Sequence, residues 1–311
     1  MIEIFKSSDT GLINIDTYED NSWVNIVHPS KEEIDSIINK FDIPRDFLTD
    51  PLDIDEVARL EIDDDDFILL TRIPVLDIDS EGSHYQTIPL GIIILKDKLM
   101  ITVCSRENDL INDFIQQRIK NFDTTDRGKS ILQIFNRTNQ LYIRYLKQLR
   151  HKAGEIEEDI QRSMKNEELV EIFKLDKSLI QFEASLKSNN RMIQKLQRSK
   201  LFKMDESKED ILEDVIIDIK QAIEMAEIYS TILNEMMNFF SSLISNNLNI
   251  VMRFLTAVTI IIAIPTLVAS LYGMNVVLPF QQSPHAFVIT LIISAVAAIM
   301  GIVLFVYRKW I

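Results

Sequence analysis

Twelve positions in the C-terminal third of the chain follow one another at alternating steps of four and three: Thr231, Glu235, Asn238, Ser242, Ser245, Asn249, Met252, Thr256, Thr259, Ala263, Thr266 and Ser270. That spacing puts them on one face of an α-helix. Nearly all are polar or small, while most of their neighbours are Ile, Leu, Phe, Val or Met. Hydroxyl and amide oxygens are donors that suit a hard, hydrated cation. Immediately beyond the stripe, Tyr272-Gly273-Met274-Asn275 adds another amide side chain and an open glycine backbone.

The helix that carries these residues must enter a membrane. Phe254 to Leu271 contains no charged side chain, and neither does Ala286 to Tyr307. Each run has the roughly 20 residues that cross a hydrocarbon core of ~30 Å. A polar stripe that continues into a span needs something polar to face, either another helix or water. Packing through small residues needs only a few positions. This stripe covers both the span and the stretch before it, which favours a water-filled axis. One helix cannot enclose such an axis, so a ring of copies is required. Ile228, Ile232, Met236, Phe240 and Leu243 would then pack between neighbours. Pro265 cannot donate to the Ile261 carbonyl, an oxygen expected to be available to a cation. Tyr272-Gly273 is expected to end the helix as a C-cap. The helix C-terminus would place partial negative charge at the outer mouth, where Asn275 and the Gly273 backbone would hold the waters of Mg²⁺ weakly enough to release them.

Tyr-Gly-Met-Asn at the close of the first of two C-terminal spans, behind a large acidic helical region, resembles the CorA family of divalent-cation channels and transporters. The resemblance implies five subunits in a funnel, a pore lined by the first span, and an outer mouth at Gly273-Met274-Asn275. It also implies an inner mouth at Asn249 to Thr256, with Met252 and Leu255 as apolar constrictions. Glu235, Asn238, Ser242 and Ser245 extend the inner pore. In this family cytoplasmic Mg²⁺ held between neighbouring subunits gates the pore. Asp214 matches the stalk position of that site, and Asp77 and Asp79 are the weaker candidates for its partner. Two departures stand out. The loop Val276 to His285 lacks an acidic residue that many relatives carry, and Asn238 stands where some have Asp. His285 suits a pH response or a softer ion such as Zn²⁺ or Co²⁺, although relatives that move zinc usually alter the Met that is intact here as Met274.

The rest of the chain fits this layout. The net charge of −14 is uneven, because the last carboxylate side chain is Glu235. So acidic a soluble part excludes nucleic acid as a partner. Cys104 is the only cysteine, which rules out an intrachain disulfide. There is no signal-like N-terminus, and Arg253, Arg308 and Lys309 flank the spans while the connecting loop has no Lys or Arg. Both termini are therefore expected in the cytoplasm of a two-span cell-membrane protein. Short period-two runs from Met1 to Cys104 predict strands, and Ser30-Lys31-Glu32-Glu33 is a capping box opening a helix to about Phe41. Asp63-Asp64-Asp65-Asp66 reads as a solvated hairpin turn, and Asp77-Ile78-Asp79 as a loop. His28, His84 and His151 are scattered, without metal-ligand spacing. Neither Gly nor Pro occurs between Gly154 and Pro265, which predicts helices over about 106–121, 130–163, 167–201 and 208–272.

The expected fold is α+β. An α/β domain spans 1–128, a helical stalk 129–252, a pore-lining span 253–272, an outer loop 273–285, and a second span with a basic tail 286–311. No phosphate loop, Ser-His-Asp set or hydrolase metal motif is present, so no enzymatic activity is expected. Mg²⁺ influx is the leading function. The rivals are a Zn²⁺, Co²⁺ or Ni²⁺ transporter, proton-coupled or not, and a non-conducting membrane anchor for an ion-sensing domain.

Overall fold

The computed structural model describes residues 1–311 except Thr10, Asp65, Ser80, Glu81, Asp97, Ser163, Met164, Lys165, Lys200, Lys203, Gln281, Gln282, Lys309 and Ile311. The side chains of Ile78, Asp79, Ser83, Gln161, Arg162, Asn166 and Glu167 also lie outside the description. Two compact units follow one another, Met1–Glu235 and Met236–Ile311.

The first unit is built on one mixed sheet of seven strands: β1 Ile2–Ser8, β2 Gly11–Asn14, β3 Ser22–Val27, β4 Arg59–Asp63, β5 Asp66–Asp79, β6 Gly82–Leu95 and β7 Leu99–Cys104. Their spatial order is β2-β1-β3-β7-β6-β5-β4, with β3–β7 the parallel pair and the other neighbours antiparallel. Helices α1 Lys31–Phe41 and α2 Arg45–Thr49 cover one side, where Ile34, Ile37 and Phe47 join Val24, Ile93 and Ile101 in the core. Alternate residues such as Leu69 and Ile92 turn the other way. There α4 Arg127–Arg162 and α5 Asn166–Ser199 contact β5 and β6. The capping box is present as expected: Glu33 N–H donates to Ser30 Oγ at 3.2 Å, and Ser30 N–H to Glu33 Oε2 at 2.8 Å.

β5 and β6 outrun their neighbours. β4 stops pairing at Leu70 and β7 at Leu90, so the remainder is a two-stranded ribbon. Beyond β4 the open edge of β5 is closed by a side chain. Asn189 of α5 accepts from Arg72 N–H at 2.9 Å and donates to Arg72 O at 2.7 Å, copying the pattern of a peptide unit. The Arg72 side chain is buried and wholly engaged by Thr87, Ser185 and the carbonyls of Ile54, Glu56 and Thr87. Burial lowers its pKa, because the charge has left water for neutral acceptors.

The long helices run close to expectation, with α6 continuous from Glu206 to Tyr272 and α7 from Ala286 to Tyr307. Three local readings are corrected. The helix expected over 106–121 is only α3, Asp109–Ile115, because Gln117 and Asn121 take left-handed φ angles of 56° that an α-helix cannot contain. Asp77-Ile78-Asp79 lies in strand β5 and not in a loop, and Asp77 is opposite His84. Gly273 follows the helix end, yet its φ is not left-handed, so it is not a glycine cap of the usual kind. Asp63 and Asp66 do flank the β4–β5 hairpin turn as read.

Candidate functional site: the polar face of α6

The second unit is a helical hairpin whose two helices use different faces. On α6, Ala257 is fully buried and Ile261, Ile264, Val268 and Tyr272 are partly so. Their steps of four, three, four and four define a seam against α7. Opposite them, α7 contributes a line of small residues, Thr290, Ser294, Ala297, Ala298 and Gly301, all partly buried. A Cβ added at Gly301 would lie 3.2 Å from Ile264 Cδ1. The close approach by small residues thus belongs to α7.

The twelve-residue stripe lies on the other side. At about 100° per residue, Thr256, Thr259, Ala263, Thr266 and Ser270 point roughly opposite Ala257, Ile261, Ile264 and Val268. Every stripe member from Thr231 to Ser270 is exposed in the single chain. Intrachain packing therefore does not account for the stripe. Exposed Ile260 and Leu267 flank it on one side, and Leu255 and Ile262 on the other. Of the stalk positions expected to pack between neighbours, Phe240 is already buried in the chain, Met236 and Leu243 are half-buried, and Ile228 and Ile232 are exposed.

The hydroxyls on this face have their protons turned inward. Thr256, Thr259 and Thr266 donate to Met252 O, Leu255 O and Ile262 O at 2.7, 2.8 and 3.2 Å, and Ser242 donates to Asn238 O at 2.9 Å. Back-bonding to the preceding turn uses the donor and leaves oxygen lone pairs facing out. At these four positions the stripe offers acceptors. Pro265 sits inside α6, where it cannot donate to the Ile261 carbonyl, and the Ile261 side chain faces Gly301 of α7.

At the far end α6 stops at Tyr272, and the chain turns on two backbone bonds, Gly273 N–H to Ala269 O at 3.0 Å and Met274 N–H to Leu271 O at 3.2 Å. Tyr272 OH donates to Pro279 O at 3.3 Å and ties down the loop. Gly273, Met274 and Asn275 are exposed. A Cβ on Gly273 would meet only Ala269 O and Ser270 O, at ordinary distances of 3.4 and 3.5 Å. Among the described residues of one chain, nothing demands glycine there. His285 precedes α7 without a side-chain cap bond.

The candidate regulatory acids separate into two groups. Asp214 is exposed on α6, and one turn later Asp218 has its carboxyl pKa raised, first by burial and then by the Asp214 charge. Sequence reading passed over Asp218; its i,i+4 relation to Asp214 was the available signal. Asp77 is already engaged, by Gln86 and by Arg106 at 3.1 Å. The Asp79 side chain lies outside the described residues. Among the described residues of one chain, no group of three or more His, Cys, Asp or Glu is placed to hold a metal ion.

A family model described as "CorA-like Mg2+ transporter protein" matches residues 18–309. The chain belongs to that family. It is thus a two-span membrane protein of a transporter family, not an enzyme, with α6 and α7 the two helices long and apolar enough to cross. It is 27% identical to the cobalt/magnesium transport protein CorA of Methanocaldococcus jannaschii, over 92% of this chain and 90% of that protein. It is 23% identical to the magnesium transport protein CorA of Campylobacter jejuni subsp. jejuni, over the full length of both. Its fold is similar to the complete structure of the CorA magnesium transporter from M. jannaschii, with a TM-score of 0.86 and 25% identity, covering 100% of this chain and 99% of that one. The CorA-like assignment accounts for the α+β soluble unit, the long helix and the terminal hairpin together.

Proposed function

We propose that five copies of this CorA-like chain surround a common axis with their α6 stripes, forming a channel that carries Mg²⁺ down its electrochemical gradient into the cytoplasm. The observation that carries this reading is the polar and small-residue face of α6, exposed from Thr231 to Ser270, which within the hairpin lies opposite the α7 seam. In a ring, Asn275 and the Gly273 backbone line the outer mouth, where neutral oxygens hold a hydrated cation through its waters. The outward C-terminus of α6 adds partial negative charge at the same place. Thr266, Thr259 and Thr256 pass the ion along hydroxyl acceptors, and Met252 and Leu255 narrow the path so that dewetting can close it. Asn249 and the inner positions Ser245, Ser242, Asn238 and Glu235 follow.

On this reading residues 1–128 form the α/β domain, 129–252 the stalk, 253–272 and 286–307 the spans, and 273–285 the outer loop. Both termini are cytoplasmic. Asp214 and Asp218 supply two carboxylates of a regulatory Mg²⁺ site. The donor set of one copy is incomplete, so the remaining ligands come from a neighbouring copy, with Asp77 and Asp79 of the β5–β6 ribbon the candidates. Their mutual repulsion without the ion opens the assembly.

The name of the M. jannaschii relative favours Co²⁺ as a second cargo. Flux into proteoliposomes, with Mg²⁺, Co²⁺ and Zn²⁺ tested separately, with and without a pH gradient, tests all of this. Mg²⁺ entry that Asn275→Ala abolishes is the expected result. Entry of Zn²⁺ alone, or only with a proton gradient, replaces the reading with a coupled transporter. No flux from folded, oligomeric protein leaves a membrane-anchored sensor.

A further inference from the structure

The unit Met236–Ile311 contains no Asp or Glu, so no acidic side chain of the unit can neutralise its arginines, Arg253 and Arg308. Helical geometry puts these two at the same end of the hairpin. Gly301 of α7 meets α6 at Ile264 and Ile261. From that contact Arg253 lies eight to eleven residues back along α6, and Arg308 seven residues onward along α7. The hairpin is antiparallel, so both paths lead to the same end. At 1.5 Å per residue they descend roughly 12–16 Å and roughly 10 Å, a difference of no more than about one turn. Both residues are exposed and lie one helical step beyond the seam, Arg253 four residues before the fully buried Ala257 and Arg308 three after the half-buried Phe305.

Two exposed guanidinium groups at one end of a packed helix pair, with no carboxylate side chain in their unit, make a positive end that attracts an anion. Their planar forks fit phosphate oxygens. The depth identifies the source of that phosphate. Trp310 N–H donates to Phe305 O at 2.9 Å, its ring stacks on Phe305 with centroids 5.6 Å apart, and Tyr307 beside them is exposed. Aromatic residues of this kind sit at headgroup level. Exposed Phe254, Val303 and Leu304 offer apolar surface alongside for acyl chains.

We propose that Arg253 and Arg308 together bind the phosphate of an anionic phospholipid at the inner end of the hairpin. Free phosphate shares the chemistry, but lipid phosphates are concentrated at this depth. The inference rests on the two-span reading and not on conduction. Because the readout is lipid retention, its failure leaves the pore reading standing.

The test uses full-length protein in neutral detergent, with lipid retention followed by native mass spectrometry and stability by thermal unfolding. Phosphatidylglycerol, phosphatidylcholine and inorganic phosphate are added in separate arms. Each arginine is expected to contribute about fivefold to the preference for phosphatidylglycerol over phosphatidylcholine. Arg253→Gln with Arg308→Gln should bring the preference near unity, whereas the paired Lys variants should keep most of it. If the double Gln variant does not fold, the single variants decide, each losing about fivefold. The proposal is overturned by a parent without preference, by Gln variants that retain it, or by inorganic phosphate stabilising the parent as much as the lipid does.

Discussion

Gly273 and Asp218 show how much a single residue can owe to partners outside its own chain. The glycine has neither a left-handed φ nor a crowded Cβ position, so Gly273→Ala should change thermal stability by no more than about 0.5 kcal/mol. The same variant should lose most Mg²⁺ flux if the backbone lines a mouth shared between copies. Parent-like flux would remove Gly273 from the pore. For Asp218, burial and Asp214 raise the folded pKa above the unfolded value. The raised group costs nothing extra below the ordinary carboxylate range, and stability is lost as pH rises through its folded pKa. Asp218→Asn should therefore stabilise the metal-free protein at pH 7 to 8, with the advantage shrinking toward pH 4, and added Mg²⁺ should narrow the gap by stabilising the parent more. Thermal unfolding across pH, with and without Mg²⁺, checks both parts; a pH-independent gain would mean that folding does not raise the Asp218 pKa.

Among the elements, those with a strictly local code were legible from the chain. Ser30 and Glu33 start α1 by themselves, and the Gly- and Pro-free run fixes α5 and the long α6 apart from a few terminal residues. What escaped depends on contacts distant in sequence. Asp77-Ile78-Asp79 resembles a loop because Asp is a poor strand former, yet His84 and Gln86 across the ribbon hold it extended. The clip that Asn189 makes on Arg72 spans more than a hundred residues, and no local pattern announces it. Asn189→Ala should cost about 1–2 kcal/mol, since it leaves the buried Arg72 N–H unpaired while the Arg72 carbonyl keeps the Tyr142 hydroxyl at 2.9 Å. Chemical unfolding of the full chain measures this, and a cost near zero would mean the edge finds water instead. The division of labour in the hairpin was equally hidden: α7's small residues and α6's polar stripe look alike as lists, and only burial separates them. Gly301→Leu should destabilise the folded protein by about 1–3 kcal/mol by overpacking against Ile264.

At the scale of the whole molecule the stripe needs a second copy, and the chain offers a clean way to look for one. Cys104 is its only cysteine and is buried at 1% exposure, so a cysteine introduced elsewhere reports its own surroundings. A disulfide needs Cα atoms no more than about 7 Å apart, which is stricter than mere association. If α6 faces an axis, neighbouring copies of a stripe residue lie closest where the ring is narrowest, and Met252→Cys near the proposed constriction should give interchain dimers under mild oxidation. Ile261→Cys, turned toward α7, should give none. Copies that met instead through their α7 helices would leave both variants without dimers. An amine-reactive crosslinker on the same preparation should stop at a five-chain band, because a closed ring of heterologous contacts has a fixed count. A ladder continuing past five, or ending at two, would leave the polar face without an axis to surround.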